Sequence, residues 1–433
     1  MTERVKSAMG YLGLQQSERP LLPTELMGWA PAWQAGSDCS PGRFSGPYTV
    51  SVIDSLPEFG AIAFIWDNLL QRCGIEYISL YHRWLSLWLE IFNPRGVFIL
   101  LVRDEIGDLI AAAPFCISRN PSGLFSRLLR RVQFIGTHPE VYDAMRVIIH
   151  PRADADRVLF HLAEALRQHQ HRWDVLDWRY MDEADQLHRL LEALQPGLHH
   201  YAISQPMSIP YIQLPEIWQN PPPYRKKKYQ SDLNRISNHL QRDYQISQPR
   251  LVVHSPGPSG DAIVSTFLKA HQAYWLDRGC RSEYARHHQL MGFYQGIYHR
   301  FSDHPSRGSL ATPIFELSTL ELGGEPISYH FDIQTPQGCM GYLSCYEPEA
   351  RKYRPGHLHI EALIERTHHR GGRRFEFGRG DESYKNQWHV ARKPLWNLLA
   401  FAHPFARRLW QLDARLKDRP PFRPFQQAES AES

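Results

Sequence analysis

Residues 346–388 of this 433-residue chain read YEPEARKYRPGHLHIEALIERTHHRGGRRFEFGRGDESYKNQW, and this stretch decides the fold. A Pro-Gly pair opens a predicted helix from Gly356 to about His369, since proline restricts the entry to a helix and glycine permits close backbone approach. A short strand, Arg374–Phe377, and a short helix near Glu382–Trp388 follow. A helix placed between strands in this way indicates a mixed α/β architecture.

Outward from this stretch, apolar spacing predicts the same order of elements in each half of the chain. Each half shows a strand, two helices, three strands, a helix, a strand, a helix and a strand. The other elements predicted in the C-terminal half are Arg250–His254, Asp261–Trp275, His287–Phe301, Ser309–Leu322, Glu325–Gln334 and Gln337–Tyr346. In the N-terminal half they are Tyr48–Ile53, Phe59–Cys73, Leu80–Phe92, Val97–Val102, Leu109–Ile117, Arg131–Ile135, Ala153–Gln168, Trp173–Trp178, Ala184–Leu194, His200–Ser204 and Met207–Gln213. No residue-level repeat joins the halves, so only the order of elements indicates duplication.

The chain is predicted to divide at a Pro-rich joint. Residues 1–45 are expected to be a loosely structured leader, and residues 46–214 an N-terminal domain. Residues 215–245 form a linker and a basic helix, and residues 246–402 a C-terminal domain. Residues 403–433 are expected to form a helix and a loose tail.

Composition excludes a wholly disordered chain, and its small net charge gives no support to a dedicated nucleic-acid-binding protein. Apolar residues make up 42% and charged residues 22% of the chain, which is ordinary for a globular protein, and the net charge is only +4. No apolar run reaches the ~18 residues of a membrane span, and the N-terminus lacks the apolar core of a secretory signal. The six cysteines are widely spaced, which fits reduced thiols in a cytoplasm. The histidines lack metal-ligand spacing, so no metal is expected.

Several motifs resemble one acyltransferase family. The Pro355–Leu358 helix start and the segment Gly371–Lys385 resemble the motifs of the GNAT superfamily, in its tandem branch of CelD-type cellulose-biosynthesis and Fem-like acyltransferases. In the first half, Arg131–Gly136 and Glu140–Asp143 are similar to another segment of this branch. The resemblance covers about residues 47–400. It implies two tandem GNAT-like folds, each a mixed, mostly antiparallel sheet flanked by helices, with the first half degenerate for catalysis.

The resemblance also implies a place for an acyl carrier, most simply acetyl-CoA or another acyl-CoA. In a GNAT fold the carrier lies where two central strands splay apart, here those ending near Tyr346 and Phe377, and it pairs with exposed backbone groups. The residues expected to hold it are Ser344, Cys345 and Tyr346 on the strand, and Arg354, Gly356 and His357 at the helix start, where N–H groups suit a pyrophosphate. Simple acetyltransferases have a longer Gly-rich loop there. The alternative is a plain helix start after a Pro-Gly turn.

Candidate catalytic residues follow the family acid position, which is Glu376 here. The resemblance places Tyr384 as the acid that protonates the leaving thiolate, with Lys385 contacting a phosphate or an oxyanion and Asp381 orienting either one. The alternative is a capping Asp followed by surface Tyr and Lys. Cys345 is also a possible nucleophile, although a buried inert thiol is the simpler interpretation.

The base that accepts the acceptor's proton has several candidates. His330 and Asp332 lie two apart on one strand and therefore share a face. Glu316 on the preceding strand is a third candidate, also considered as an acceptor contact. Each of these has the alternative of a packed, hydrogen-bonded core residue.

The acceptor site is predicted beside the first helix of the second half. Tyr274, Trp275 and Arg278 lie on or just after that helix, where they could wall an acceptor. The alternative is an amphipathic helix with aromatic core residues.

The basic run Arg225–Lys228 suggests an anionic partner. A substrate, a membrane surface or a tRNA acceptor stem would fit, although such a run is more often a solvated face.

The sequence therefore predicts a cytoplasmic acyltransferase that moves an acyl group to an amine or hydroxyl of a saccharide or precursor by direct attack. Two alternatives stay open. They are Fem-like aminoacyl transfer from tRNA and a non-catalytic scaffold of an exopolysaccharide assembly.

Overall fold

The computed structural model describes residues 47–119, 124–137, 144–219, 222–246, 248–277, 288–301 and 313–417. The predicted leader and tail, the motif Glu140–Asp143 and Arg278 lie outside these residues. For Trp275 only the backbone is described. Elements of the N-terminal half are β1 (Thr49–Ile53), α1 (Leu56–Ala61), α2 (Ala63–Arg72), α3 (His82–Phe92), β2 (Gly96–Arg103), β3 (Leu109–Ser118), β4 (Arg131–Phe134), β5 (Ile148–Ile149), α4 (Ala155–Gln168), β6 (Val175–Met181), α5 (Ala184–Leu194) and β7 (His200–Gln213).

The second half begins with the basic helix. Its elements are α6 (Lys227–Tyr244), β8 (Arg250–His254), α7 (Pro258–Asp277), α8 (His288–Phe301), β9 (Ile314–Leu322), β10 (Glu325–Thr335), β11 (Gly338–Tyr346), α9 (Pro355–His369), β12 (Arg374–Glu376), β13 (Ala391–Phe401) and α10 (Pro404–Lys417). Short 3-10 helices at Ser126–Leu128, Pro348–Tyr353 and Ser383–Gln387 matter below. The predicted α/β class is confirmed.

The predicted elements differ from the structure in two places. The helix expected at Phe59–Cys73 is two helices, α1 and α2, which meet at Ile62. The two extended segments expected at His200–Ser204 and Met207–Gln213 are one strand, β7, which runs through Pro206. The pairing of β7 with β13 shifts register opposite that proline, so its missing N–H falls at an irregularity that a sheet tolerates.

A single sheet runs through both halves, and its strand order is palindromic. The order is β1-β2-β3-β4-β6-β13-β7-β12-β11-β10-β9-β8. Reading from either end gives equivalent strands of the two halves, with β7 and β13 exchanged at the centre. This order supports duplication more strongly than the sequence pattern does. The division into domains at the predicted residues stays a prediction, because each half completes the other's sheet.

Helices of the two halves pack together on one face of the sheet. Trp84 of α3 is fully buried, with its ring 5.3 Å from Phe293 of α8 and 6.0 Å from Tyr342 of β11. On the opposite face of the C-terminal half, α9 covers β9, β10 and β11. The packing therefore sets two different environments on the two faces of β11.

Candidate active site at the β11–β12 cleft

Strands β11 and β12 separate soon after they begin. They are parallel and pair only over Gly338–Met340 with Arg374–Glu376, while β11 continues to Tyr346. Along its other edge β11 stays paired with β10. Residues 341–346 therefore have a strand partner on one side only, and a wedge opens on the other.

Glycines and a bulge explain why the wedge opens at this point. A Cβ at Gly338 would lie 1.9 Å from the Arg374 carbonyl oxygen, and one at Gly378 would lie 2.6 Å from the Gly341 oxygen, so glycine permits this close start. Gly378 also has φ +72°. Beyond it, the β10–β11 register shifts so that Tyr342 is extra, and a bulge bends and twists its strand.

Two residues of β11 direct their backbone groups into the wedge. The Cys345 carbonyl accepts from Ser328 Oγ at 3.1 Å, and the Glu347 N–H donates to the Ile327 oxygen at 3.0 Å, so both residues face β10. Successive residues of a strand direct their backbone groups to opposite sides. Ser344 and Tyr346 therefore present their N–H and C=O groups to the wedge, as an extended carrier arm requires.

Cys345 does not belong to the carrier contacts predicted for it. Its backbone faces β10, and its side chain is 3% exposed within the core under α7 and α8. Burial raises the pKa of this thiol well above its ordinary value, so it stays protonated and unreactive. The inert-thiol interpretation describes it, and of the three strand residues Ser344 and Tyr346 remain.

The first turn of α9 lies beside the wedge, although it offers few N–H donors. A Cβ at Gly356 would be 3.7 Å from the Tyr346 ring, which fixes the distance between helix and strand. Pro355 has no N–H, and the N–H groups of His357 and Leu358 both bond to the Arg354 oxygen. The 3-10 helix Pro348–Tyr353 replaces a Gly-rich loop.

Arg354 is partly committed elsewhere. Its φ is +48°, and its guanidinium donates to Asp232 of α6 at 3.0 Å. The side chain remains 38% exposed, so Arg354 is partly accessible beside the helix start.

Aromatic side chains gather at the mouth of the wedge. The Tyr384 ring lies 6.1 Å from His357, and the Tyr274 ring lies 5.0 Å from Tyr346. Burial, and then the nearby Glu382 and Tyr274, raise the pKa of Tyr384, so its phenol stays protonated at neutral pH. Tyr384 therefore carries the proton that an acid must supply, and it is not available as a base.

Lys385 and Asp381 are tied to the protein itself, contrary to their predicted roles. Lys385 Nζ donates to the carbonyl oxygens of Gly378, Arg379 and Gly380 at 3.1–3.2 Å, and pairs with Glu382 at 2.7 Å. It is 2% exposed, and burial lowers its pKa. This lysine shapes the loop after β12 and does not reach a phosphate.

Asp381 points to the exchanged strands. It accepts from Ser208 Oγ of β7 at 2.9 Å and pairs with Arg392 of β13. Neither contact joins it to Tyr384 or Lys385, so it does not orient them.

The predicted bases lie beneath α9, on the face of the sheet opposite to that of α3 and Tyr342. His330 and Asp332 do share a face, with Nδ1 2.7 Å from Oδ1, but they are 5% and 1% exposed. Ser318 bonds to Asp332 at 3.3 Å and to His359 of α9 at 3.0 Å. They form a buried network between sheet and helix, which is the core interpretation left open by the sequence.

Glu316 is neither an accessible base nor an acceptor contact. Its carboxylate pairs with Arg366 at 2.6 Å and with Arg370 at 3.2 Å, and it is 4% exposed. The two guanidiniums outweigh its burial and hold its pKa low. This ion cluster attaches α9 to β9.

Glu376 was predicted as the family acid position, but no role in the site was assigned to it from the sequence. Its neighbours Phe375 and Phe377 pack under α9, so alternation places Glu376 on the opposite face, the face of α3 and Tyr342. It is 7% exposed and pairs with Arg374 at 2.8 Å, so its face of the sheet, not its exposure, distinguishes it from Glu316. It is also among the charges that raise the pKa of Tyr77, a side chain of the N-terminal half. The family acid position was the signal that identified it.

The corresponding opening in the N-terminal half is filled by the chain itself. There β4 pairs with β6 only at Arg131–Val132 with Val175–Leu176. Beyond this pair, Met145 bridges to β6: its N–H donates to the Tyr180 oxygen at 2.9 Å, and its oxygen accepts from Asp182 at 3.3 Å. In the described residues, a wedge lined by unpaired strand backbone therefore exists in the C-terminal half alone.

The basic run does not form one solvated face. Arg225 donates to Glu361 of α9 at 2.6 and 2.9 Å with 14% of its side chain exposed, and Trp388 Nε1 donates to the same carboxylate at 2.9 Å. Lys226, Lys227 and Lys228 are exposed. The predicted anionic partner therefore has three cations available, and Arg225 belongs to the fold.

Neither a metal cluster nor a spanning helix occurs in the described part of the chain. No group of three His, Cys, Asp or Glu side chains there is arranged to hold a metal ion. None of the helices among those residues has the length and apolar character to cross a bilayer.

Comparison with known proteins finds a family model that matches part of the chain. Residues 228–386 match the family model described as an acetyltransferase (GNAT) domain. No curated protein matches the chain. The fold is similar to that of FemX, with 10% identity, a TM-score of 0.52, and coverage of 84% of this chain and 99% of that one.

Two further solved structures are similar at lower scores. One is the L-PGS structure from Bacillus licheniformis, with 12% identity, a TM-score of 0.47, and coverage of 82% and 97%. The other is a tandem GNAT protein from the clavulanic acid biosynthesis pathway, with 12% identity, a TM-score of 0.41, and coverage of 83% and 99%.

Proposed function

We propose that this chain, whose fold is similar to that of FemX, is a GNAT-type acyltransferase and transfers an acyl group from a thioester carrier to an amine or hydroxyl. One observation carries the proposal: β11 leaves β12 after three paired residues, directly beside the start of α9. The simplest carrier is acetyl-CoA, whose extended arm would bond to the backbone of Ser344 and Tyr346.

Transfer proceeds by direct attack within a ternary complex. The acceptor's nitrogen or oxygen bonds to the thioester carbon while Glu376, on the face of the N-terminal half, accepts the acceptor's proton. The carbon–sulfur bond then breaks, and Tyr384 gives its proton to the departing thiolate. The products are the acylated acceptor and the free thiol, and solvent returns the proton from Glu376 to Tyr384.

The N-terminal half supplies the acceptor side of the cleft and holds no carrier. The Met145 segment fills the opening of the N-terminal half. Tyr77 of this half lies near Glu376, and Trp84 lies near Tyr342. The acceptor is a saccharide or an activated precursor, as the resemblance implies, and the reaction belongs to the cytoplasm and to exopolysaccharide synthesis. This geometry accommodates transfer to nitrogen and to oxygen equally well.

Calorimetry with acetyl-CoA and CoA tests the carrier. We expect micromolar binding by the full chain, and the Tyr384→Phe variant should bind equally while losing turnover about 100-fold, because only the leaving-group proton is removed. The control is Tyr244→Phe on the exposed end of α6, which should change neither quantity. Absence of binding at saturating CoA would refute a CoA donor and leave a scaffold or a different donor.

A second candidate donor is aminoacyl-tRNA, as in the Fem-like part of the resemblance. The sparse N–H groups at the start of α9 and the exposed Lys226–Lys228 favour it specifically. It predicts RNA binding that weakens steeply with salt and is lost on charge reversal of these lysines. CoA binding without RNA binding would exclude this donor.

A further inference from the structure

The outer face of α10 carries apolar and cationic side chains in one stripe. Phe405 is 63% and Leu412 42% exposed, and Arg408 and Arg415 are also exposed. At 100° per residue these four positions fall within an arc of about 80°. An adjacent side of the helix packs through Ala406 and Leu409, so the stripe is a fixed surface of the fold.

A second exposed apolar segment adjoins this helix. The buried Asp413 carboxylate of α10 accepts the N–H groups of Leu124, Phe125 and Ser126 at 2.6–3.0 Å, which ties the 3-10 helix Ser126–Leu128 to α10. Leu124 is 55% and Leu128 59% exposed. These two leucines, with Phe405, Arg408, Leu412 and Arg415, form what we call the α10 surface.

The charge of the α10 surface is positive. In addition to its two arginines, Arg127 is exposed between the leucines, and Arg407 lies on α10. None of these four arginines makes an ion pair with the described residues. Asp413, the acid of α10, is 5% exposed and is occupied in bonding the three N–H groups.

We propose that the α10 surface docks the protein on an anionic lipid bilayer. Exposed Phe and Leu side chains at helical spacing, interleaved with arginines, match the composition of helices that lie in the interfacial region of a membrane. The arginines would face lipid phosphates while Phe405, Leu412, Leu124 and Leu128 enter the headgroup layer. A second copy of this chain would bring arginine against arginine, so charge disfavours a symmetric contact through this surface.

Vesicle flotation with the full chain tests the proposal. Binding is expected to phosphatidylcholine vesicles that contain phosphatidylglycerol, and little binding to phosphatidylcholine alone. Arg408→Glu should weaken binding about fivefold or more at low ionic strength, and added salt should weaken the wild type. The paired variant Phe405→Ser/Leu412→Ser should weaken it about tenfold or more with the charge unchanged.

A matched control lies on another helix. Phe64 of α2 is 83% exposed, and Phe64→Ser should leave flotation unchanged. Circular dichroism confirms that each variant is folded, since all four substituted positions are exposed. Equal flotation with neutral and anionic vesicles, or wild-type flotation of both α10 variants, would overturn the proposal. Failure to float on either vesicle would also overturn it and would leave an acidic protein as the partner of this surface.

Discussion

Removing the guanidinium of Arg225 tests whether the basic run is part of the fold or a free binding surface. Arg225→Met removes the cationic partner of Glu361, whose side chain is 10% exposed, and leaves the neutral donor Trp388 in place. Burial already raises the pKa of Glu361, and Arg225 is the strongest influence that opposes this rise. In the variant the carboxyl therefore takes up a proton.

The cost of that proton sets the size of the effect. Protonating a carboxyl with an ordinary pKa of 4.5 at pH 7 costs about 3.4 kcal/mol. This is the lower end of the cost of breaking a buried ion pair. We therefore expect Arg225→Met to lower the free energy of unfolding by about 3 kcal/mol, or Tm by about 3 °C in a chain of this length.

The pH dependence has a definite sign. Because the pKa of Glu361 is higher in the folded variant than in the unfolded chain, the variant regains stability as pH falls from 7 toward 5. Thermal unfolding monitored by circular dichroism at both pH values measures this. In the double variant Arg225→Met/Glu361→Gln most of the loss should return, since no charge is then buried.

Lys227→Met is the matched control, because its side chain is exposed on the same run. It should change the free energy of unfolding by less than about 0.5 kcal/mol. Equal stability of Arg225→Met and Lys227→Met would refute the division of the run into one structural arginine and three exposed lysines.

Three further predictions concern the cleft and the core. Glu376→Gln should lower kcat/KM about 100-fold while CoA still binds in calorimetry, and unchanged turnover would exclude Glu376 as the base. Gly356→Val should weaken CoA binding about tenfold, and more than Gly356→Ala does, because the branched side chain would occupy the space through which a pyrophosphate reaches the helix start. Equal affinity of the two variants for CoA would place the pyrophosphate elsewhere. Burial lowers the pKa of His271 to about 3 and that of His359 well below its ordinary value. Below pH 6.5 the unfolded chain alone takes up their protons, so the free energy of unfolding falls by about 1.4 kcal/mol per pH unit for each histidine. Urea titrations at pH 7 and pH 5 should show a smaller fall in this free energy for His271→Gln than for the wild type.

Apolar periodicity predicted the local elements, and the residue that broke a pattern explains each miss. Ile62 interrupts one predicted helix, and Pro206 suggested a break that the sheet absorbs at a bulge. The exchange of β7 and β13 could not be predicted from the sequence, because strand order depends on pairing between residues almost two hundred positions apart.

The motifs located the elements that line the candidate site, while the roles of its residues stay predictions. The wedge, the helix start and Tyr384 follow from the motifs, and the structure brings them together. Alternation correctly put His330 and Asp332 on one face, but only packing decides which face meets α9. Arg225 looked like its lysine neighbours because its partner, Glu361, is 136 residues away in sequence.

Backbone hydrogen exchange with and without acetyl-CoA tests the central claim most directly. If the carrier arm lies in the wedge, the amides of Ser344 and Tyr346 should exchange more slowly when acetyl-CoA is bound, while β9 on the far side of β10 should not change. Bound acetyl-CoA that leaves peptides covering residues 341–346 unprotected would contradict the account, because the carrier would then lie outside the β11–β12 cleft.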